Sequence, residues 1–406
     1  MKNNELKVHT LKNGLTLLGE VKPSAQSVGI GFFVRTGSRD ETKKEAGVSH
    51  FLEHMMFKGT ARRSSIDITY QLGNIGAQAN AYTSEENTVY YSAVLPEYFA
   101  QMQELLSDML RPSLDPSEFD MEKKVILEEI ALYKDRPHFY LFEKAMADFF
   151  GDHPAGNSVL GTTDTIGAVS RDEMKAYFDR RYAPGNIVFV ASGNYLWEKF
   201  VEDAENQCSE WKQLSTERSL PRHKASSLKK VYTKKDIQQA HLLLMTDGPS
   251  AQDEERYPLA LLSLMIGDGS GSKIYWELVD KGIVESAGAD TDERDGTGCF
   301  IASASMEHEK LDEVASILYG ILEKPMDFQE ADLERAKNKV CAKIVFGGEL
   351  PMGRLMAIGS EWNYRKDITP LSEIIDRIRK VTKKDIAEAL EKFPLKTWSE
   401  FRLVAE

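Results

Sequence analysis

Apolar and polar positions change period repeatedly along the chain, and the changes mark out its elements. Around Leu11–Leu17 the apolar residues flank Asn13-Gly14, a dipeptide suited to the positive φ of a type I′ turn, so this segment reads as a hairpin. A strand is expected at Ser27–Val34, a helix from about Ala46 to near Gly59, and paired strands at Ala77–Thr83 and Thr88–Val94. Helices follow at Pro96–Leu110 and Pro116–Asp135, and a short apolar strand at Ile187–Ala191 runs into Gly193. The polar stretch Gln213–Lys230 contains Pro221 and mixed charges and reads as a linker. Beyond it the order recurs: a strand at His241–Met245, helices at Tyr257–Ile266 and Ser272–Lys281, a strand near Gly298–Ala304. Two more helices are expected at Lys310–Glu323 and Asp332–Val345. The recurrence predicts an α+β chain of two homologous domains, each a mostly antiparallel sheet packed with helices. The expected boundaries are 1–215 for the first domain, 216–230 for a linker and 231–406 for the second.

Composition narrows the function. Hydrophobic residues make up 42% of the 406 and charged residues 28%, a mixture that buries a large core. The balance of 51 basic against 64 acidic residues, net −13, argues against binding nucleic acid or anionic lipid. No apolar run is long enough to span a bilayer, and the polar opening lacks the apolar core of a secretory signal. The three cysteines, Cys208, Cys299 and Cys341, are odd in number and far apart, which excludes a disulfide scaffold or a cysteine-only zinc cluster. A soluble, cytoplasmic protein is expected.

The sharpest chemical signal is His50-Phe51-Leu52-Glu53-His54. Two histidines four apart on a helix leave the same face, and imidazoles so placed can hold one Zn²⁺. Glu53 stands beside them, placed to take a proton from water. This HxxEH order inverts the commoner HExxH zinc signature. Read blandly, the same residues are two histidines and a glutamate on a solvated helix face. A catalytic zinc needs a third protein ligand. The helix Pro116–Asp135 offers Glu122, Glu128 and Glu129. Glu122 and Glu129 are seven apart, nearly in register, on a stripe with Val125, Ile126, Leu132 and Tyr133. Glu128 falls with Met121, Lys124 and Asp135 on the more polar side. Acids on an apolar stripe need a partner, and a metal is one. That phase selects Glu129 as ligand and Glu122 as a supporting group.

The segment from Gly47 to Thr60 resembles the core motif of the pitrilysin/insulinase zinc peptidases, and the chain length resembles the half-size branch containing mitochondrial processing peptidase and its bacterial relatives. Val125-Ile126-Leu127-Glu128-Glu129-Ile130 is similar to that family's third-ligand helix, with its second glutamate in the ligand position. Ala79-Asn80-Ala81-Tyr82-Thr83 resembles the family's edge strand, which implies that Asn80 and Ala81 meet the substrate backbone. An exposed strand offers unpaired backbone groups to which an extended peptide can add. The resemblance implies a metalloendopeptidase with one Zn²⁺ per chain, cutting peptides or unfolded segments. It also implies a homodimer or a heterodimer with a related subunit, because one chain makes half of the family's enclosed chamber.

One departure stands out. Many relatives carry an Arg and a Tyr about seven apart in the second half, and here Val279 and Glu285 fall near those positions. Arg354 and Tyr364 lie on a later helix from which they could face the chamber. Two rivals follow: a non-catalytic relative serving as a structural subunit, and a peptide-binding chamber with a vestigial zinc.

Overall fold

The computed structural model describes residues 5–214 and 216–406, and its fold is α+β. Two sheets carry the chain. The first contains β1 (Glu5–Thr10), β2 (Thr16–Val21), β3 (Val28–Val34), β4 (Gln78–Thr83), β5 (Thr88–Val94) and β6 (Ile187–Gly193), in the order β1-β2-β6-β3-β5-β4. The second contains β7 (Lys229–Lys234), β8 (Ala240–Asp247), β9 (Ser286–Glu293), β10 (Gly298–Met306) and β11 (Ser399–Ala405), in the order β7-β11-β8-β10-β9. All pairings are antiparallel except β2 with β6 and β7 with β11.

Burial follows position in the sheet. β3 and β6 lie inside the first sheet and are buried at every residue, consistent with their nearly continuous apolar sequence. β4 is an edge, and its residues alternate between exposed and half-buried. Gln78, Asn80 and Tyr82 point outward, while Ala79, Ala81 and Thr83 share the inner face.

Residue contacts divide the chain into two compact units, and the division differs from the linear boundaries 1–215, 216–230 and 231–406 expected from sequence. The first unit takes residues up to Ala131, then Asn157–Arg218 and Val345–Pro370; the second takes Leu132–Gly156, Ser219–Ile344 and Leu371–Glu406. Burial of apolar side chains explains both exchanged segments. Helix Pro351–Arg365 places Leu355 and Ile358 in one cluster with Phe33, Val188 and Val190 of the first sheet. Helix Pro137–Phe150 places Leu141, Met146 and Phe149 with Met245, Phe401 and Leu403 of the second. The stretch read as a linker is anchored rather than free. Arg218 donates to the Asp40 carboxylate at 3.0 and 2.6 Å, and the Ala225 N–H donates to the Asp247 carboxylate at 2.8 Å.

Gly359 shows how closely the Pro351–Arg365 helix sits on its sheet. A Cβ there would lie 2.5 Å from ring atoms of Phe33, which is fully buried. Alanine normally gains about 1 kcal/mol over glycine inside a helix. Overpacking against a ring that cannot move costs about 1–3 kcal/mol and should win. Gly359→Ala is therefore expected to lower the Tm, and an unchanged or higher Tm would mean that Phe33 yields.

Candidate metal centre

Helix Val48–Met55 is fixed at its start before it can present any ligand. Gly47 adopts φ 91°, and a Cβ there would come within 2.5 Å of the Leu160 carbonyl oxygen. The buried Glu41 carboxylate accepts the backbone N–H groups of Gly47 and Ser49, both at 2.7 Å, satisfying donors that the first turn leaves open. Burial pushes the Glu41 carboxyl up to about 7, against the pull of those hydrogen bonds. Ser49 Oγ lies 2.6 Å from Tyr177 Oη, and Phe51 stacks on Phe119 of helix Pro116–Asp135 with ring centroids 4.8 Å apart. That stacking sets the two helices side by side.

On this frame His50, His54 and Glu129 converge. Their ligand atoms all lie within 4.8 Å of one another, and no other group of three or more His, Cys, Asp and Glu does so among the described residues. Glu129 Oε2 is 3.8 Å from His50 Nε2 and 3.7 Å from His54 Nε2, too long for hydrogen bonds. Donors held about 2.0–2.2 Å from one tetrahedral ion sit about 3.5 Å apart, so the observed spacing fits a zinc ion. Glu129 is half-buried, whereas the adjacent Glu128, turned about 100° around the helix, is exposed. Glu122, only 4% exposed, lies 2.8 Å from His54 Nδ1, and Lys58 Nζ lies 2.5 Å from its other oxygen. The helix stripe differs from expectation at Val125 and Leu132, which are 43% and 55% exposed.

The electrostatics suit a cation. Burial, helped by the neighbouring His54, drives His50 down to about 4, so its ring is neutral with a lone pair available. Burial alone would also lower His54, but the hydrogen bond to Glu122 and the charges of Glu53, Glu122 and Glu129 outweigh it and hold it up. His50 Nδ1 is buried without a hydrogen-bond partner, so only His54 has the second-nitrogen support usual for a metal-bound imidazole. Burial raises the Glu53 carboxyl, opposed by His54 and by a hydrogen bond from Thr83 Oγ1 at 3.0 Å.

Residues 17–163 match the model of insulinase, peptidase family M16, and residues 168–340 match that of the peptidase M16 inactive domain. The chain belongs to the insulinase family, M16. A Rickettsia felis protein named as an uncharacterized zinc protease is 31% identical over 97% of this chain and 95% of its own length. The Bacillus subtilis protein YmxG, named likewise, is 29% identical over 93% of this chain and 92% of its own. A crystal structure of a protease from Helicobacter pylori superposes with a TM-score of 0.89 at 20% identity, covering 99% of both chains, and shares the fold.

The other residues singled out by sequence fall in two places. Asn80 and Ala81 lie on the open edge of β4, where Asn80 Oδ1 accepts the Ala81 N–H at 2.8 Å. Arg354 is buried and spent on Glu20 at 2.5 Å, and Tyr364 Oη accepts a hydrogen bond from Asn87 at 3.0 Å. Arg354 is thereby removed from the family's missing pair. Sequence reading missed Lys58 and Thr83. Lys58 lies four residues past His54, and Thr83 lies two past Ala81 on the same face, so each carried a periodic signal.

Proposed function

We propose that the chain is a zinc-dependent endopeptidase that hydrolyses peptides or unstructured protein segments. The observation that carries the reading is the convergence of His50, His54 and Glu129 beside Glu53. His50, His54 and Glu129 would hold the ion, with Glu122 orienting His54 through Nδ1. Zinc bound there supplies Lewis acidity, polarising a carbonyl and making water acidic near neutral pH. Glu53 takes a proton from the attacking water and returns it to the leaving amine, and a carboxyl raised by burial is better matched to that shuttle near neutrality. The open edge of β4 offers backbone groups to an extended substrate, with Asn80 and Ala81 in contact, and reads little side-chain sequence.

A second reading, a peptide-binding subunit without turnover, is favoured by one observation: Val279 and Glu285 stand near where the family resemblance leads one to expect an Arg–Tyr pair. We further place the active form as a homodimer that closes a chamber around the substrate, with a heterodimer as the alternative. Zinc content, mass in solution and cleavage of a quenched peptide decide among these. One zinc per chain, a dimer, and cleavage of the flexible peptide but not of the same sequence inside a folded domain are expected. Zinc without cleavage favours the binding subunit, and a fully active monomer removes the chamber.

A further inference from the structure

The turn that joins β4 to β5 is braced far beyond what a surface hairpin needs. Ser84 Oγ accepts the N–H groups of Glu86 and Asn87 at 3.3 and 3.0 Å. Glu86 forms an ion pair with Arg39 at 2.5 Å, the two side chains being 2% and 1% exposed. Arg218 donates to the Glu86 carbonyl at 2.7 Å. Asn87 Oδ1 accepts from Asn363 at 2.8 Å, and its amide donates to Tyr364. Gly37 lies so close that a Cβ would stand 2.2 Å from the Ser84 carbonyl oxygen. Buried ion pairs contribute little net stability, and their better-supported role is to fix geometry.

The residue that this turn fixes is Thr83, the last of β4. It pairs with Thr88, which is fully buried and donates from Oγ1 to the Thr36 carbonyl at 2.9 Å. Thr83 Oγ1 donates to Glu53 Oε2 at 3.0 Å and is the one hydrogen-bond donor to that carboxylate among the described residues. Glutamate is a long side chain with several rotatable bonds; the charges of His54 and Glu129 also act on its head, but no other hydrogen bond among the described residues fixes where it points. Thr83 also shares its strand and its face with Ala81, on the edge open to substrate.

We propose that Thr83 is the positioning residue of Glu53: its hydroxyl, set by the braced turn, holds Oε2 and leaves Oε1 for the water to be deprotonated. The proposal rests on Glu53 being the general base. Losing one such hydrogen bond, or misplacing a catalytic group by a fraction of an ångström, slows a reaction about 10-fold or more.

Valine matches threonine in shape and suits a strand, so Thr83→Val removes the hydroxyl and little else. In the zinc-loaded enzyme Thr83→Val is expected to lower kcat about 10-fold with KM within about twofold, and Thr83→Ser to stay within about threefold of the parent. Both variants should retain zinc. Crystals of the metal-free variants supply a readout independent of turnover: Glu53 keeps one rotamer in Thr83→Ser and spreads over more than one in Thr83→Val. A kcat for Thr83→Val within twofold, a loss of zinc, or an unmoved Glu53 would overturn the proposal. Should the parent chain cut nothing, the peptidase reading fails, and the Glu53 rotamers still decide the role of Thr83.

Discussion

Glu53→Gln should keep its zinc and lose turnover by about 10²–10⁴-fold. The substitution leaves His50, His54 and Glu129 untouched, so the ligand set survives. Glutamine keeps the shape of glutamate, and its carbonyl oxygen can still accept from Thr83 Oγ1, so the local packing survives as well. What disappears is the ability to take and return a proton. Stability should not confuse the result. Burial penalises the Glu53 carboxylate, as the upward displacement of its pKa shows, and a neutral amide avoids that penalty. The metal-free variant should therefore unfold at no lower temperature than the parent at neutral pH. Kinetics on a quenched peptide, with metal analysis of the same sample, check both halves. Turnover within a few-fold of the parent, at full zinc occupancy, would take the general-base role away from Glu53.

Short-range periodicity made half of this centre legible. The four-residue spacing of His50 and His54 is a property of any α-helix, so one turn of sequence was enough to place both rings on one face. The same rule separated Glu129 from Glu128, whereas the edge position of the strand at Ala77–Thr83 came from the family resemblance and not from its periodicity. Periodicity failed where burial depends on what covers a face. Val125 and Leu132 fall near the phase of Glu122 and Glu129, yet no element covers them enough to hide them from solvent. It also failed for partners distant in sequence. Nothing local announces that Leu355 and Ile358 pack on Phe33 and Val188, or that Arg354 is bound to Glu20. For the same reason linear boundaries could not anticipate that residues 132–156 and 345–370 change units. Thr83 was missed for a different cause: a threonine in a strand is ordinary, and only the position of Glu53 gives it meaning.

Glu129→Gln should release zinc while Glu128→Gln keeps it, and the contrast measures the helical phase directly. The two residues are adjacent, so side chains of identical chemistry leave the helix about 100° apart. Only Glu129 points at the two Nε2 atoms, from 3.8 and 3.7 Å; Glu128 is exposed. An amide is a weak zinc donor and carries no charge, so affinity should fall by more than about 100-fold, beyond the 10–100-fold typical of losing a supporting partner. Glu122→Gln supplies that intermediate case. It weakens the hold on His54 Nδ1 and leaves Lys58 without its buried carboxylate, but removes no ligand. The expected order of zinc loss is therefore Glu129→Gln first, Glu122→Gln next and Glu128→Gln indistinguishable from the parent. Metal content after dialysis against a chelator of graded strength reads the order. Equal loss from Glu128→Gln and Glu129→Gln would mean that net charge near the histidines holds the ion rather than a directed ligand. The reverse order would place the third ligand on the wrong side of the helix.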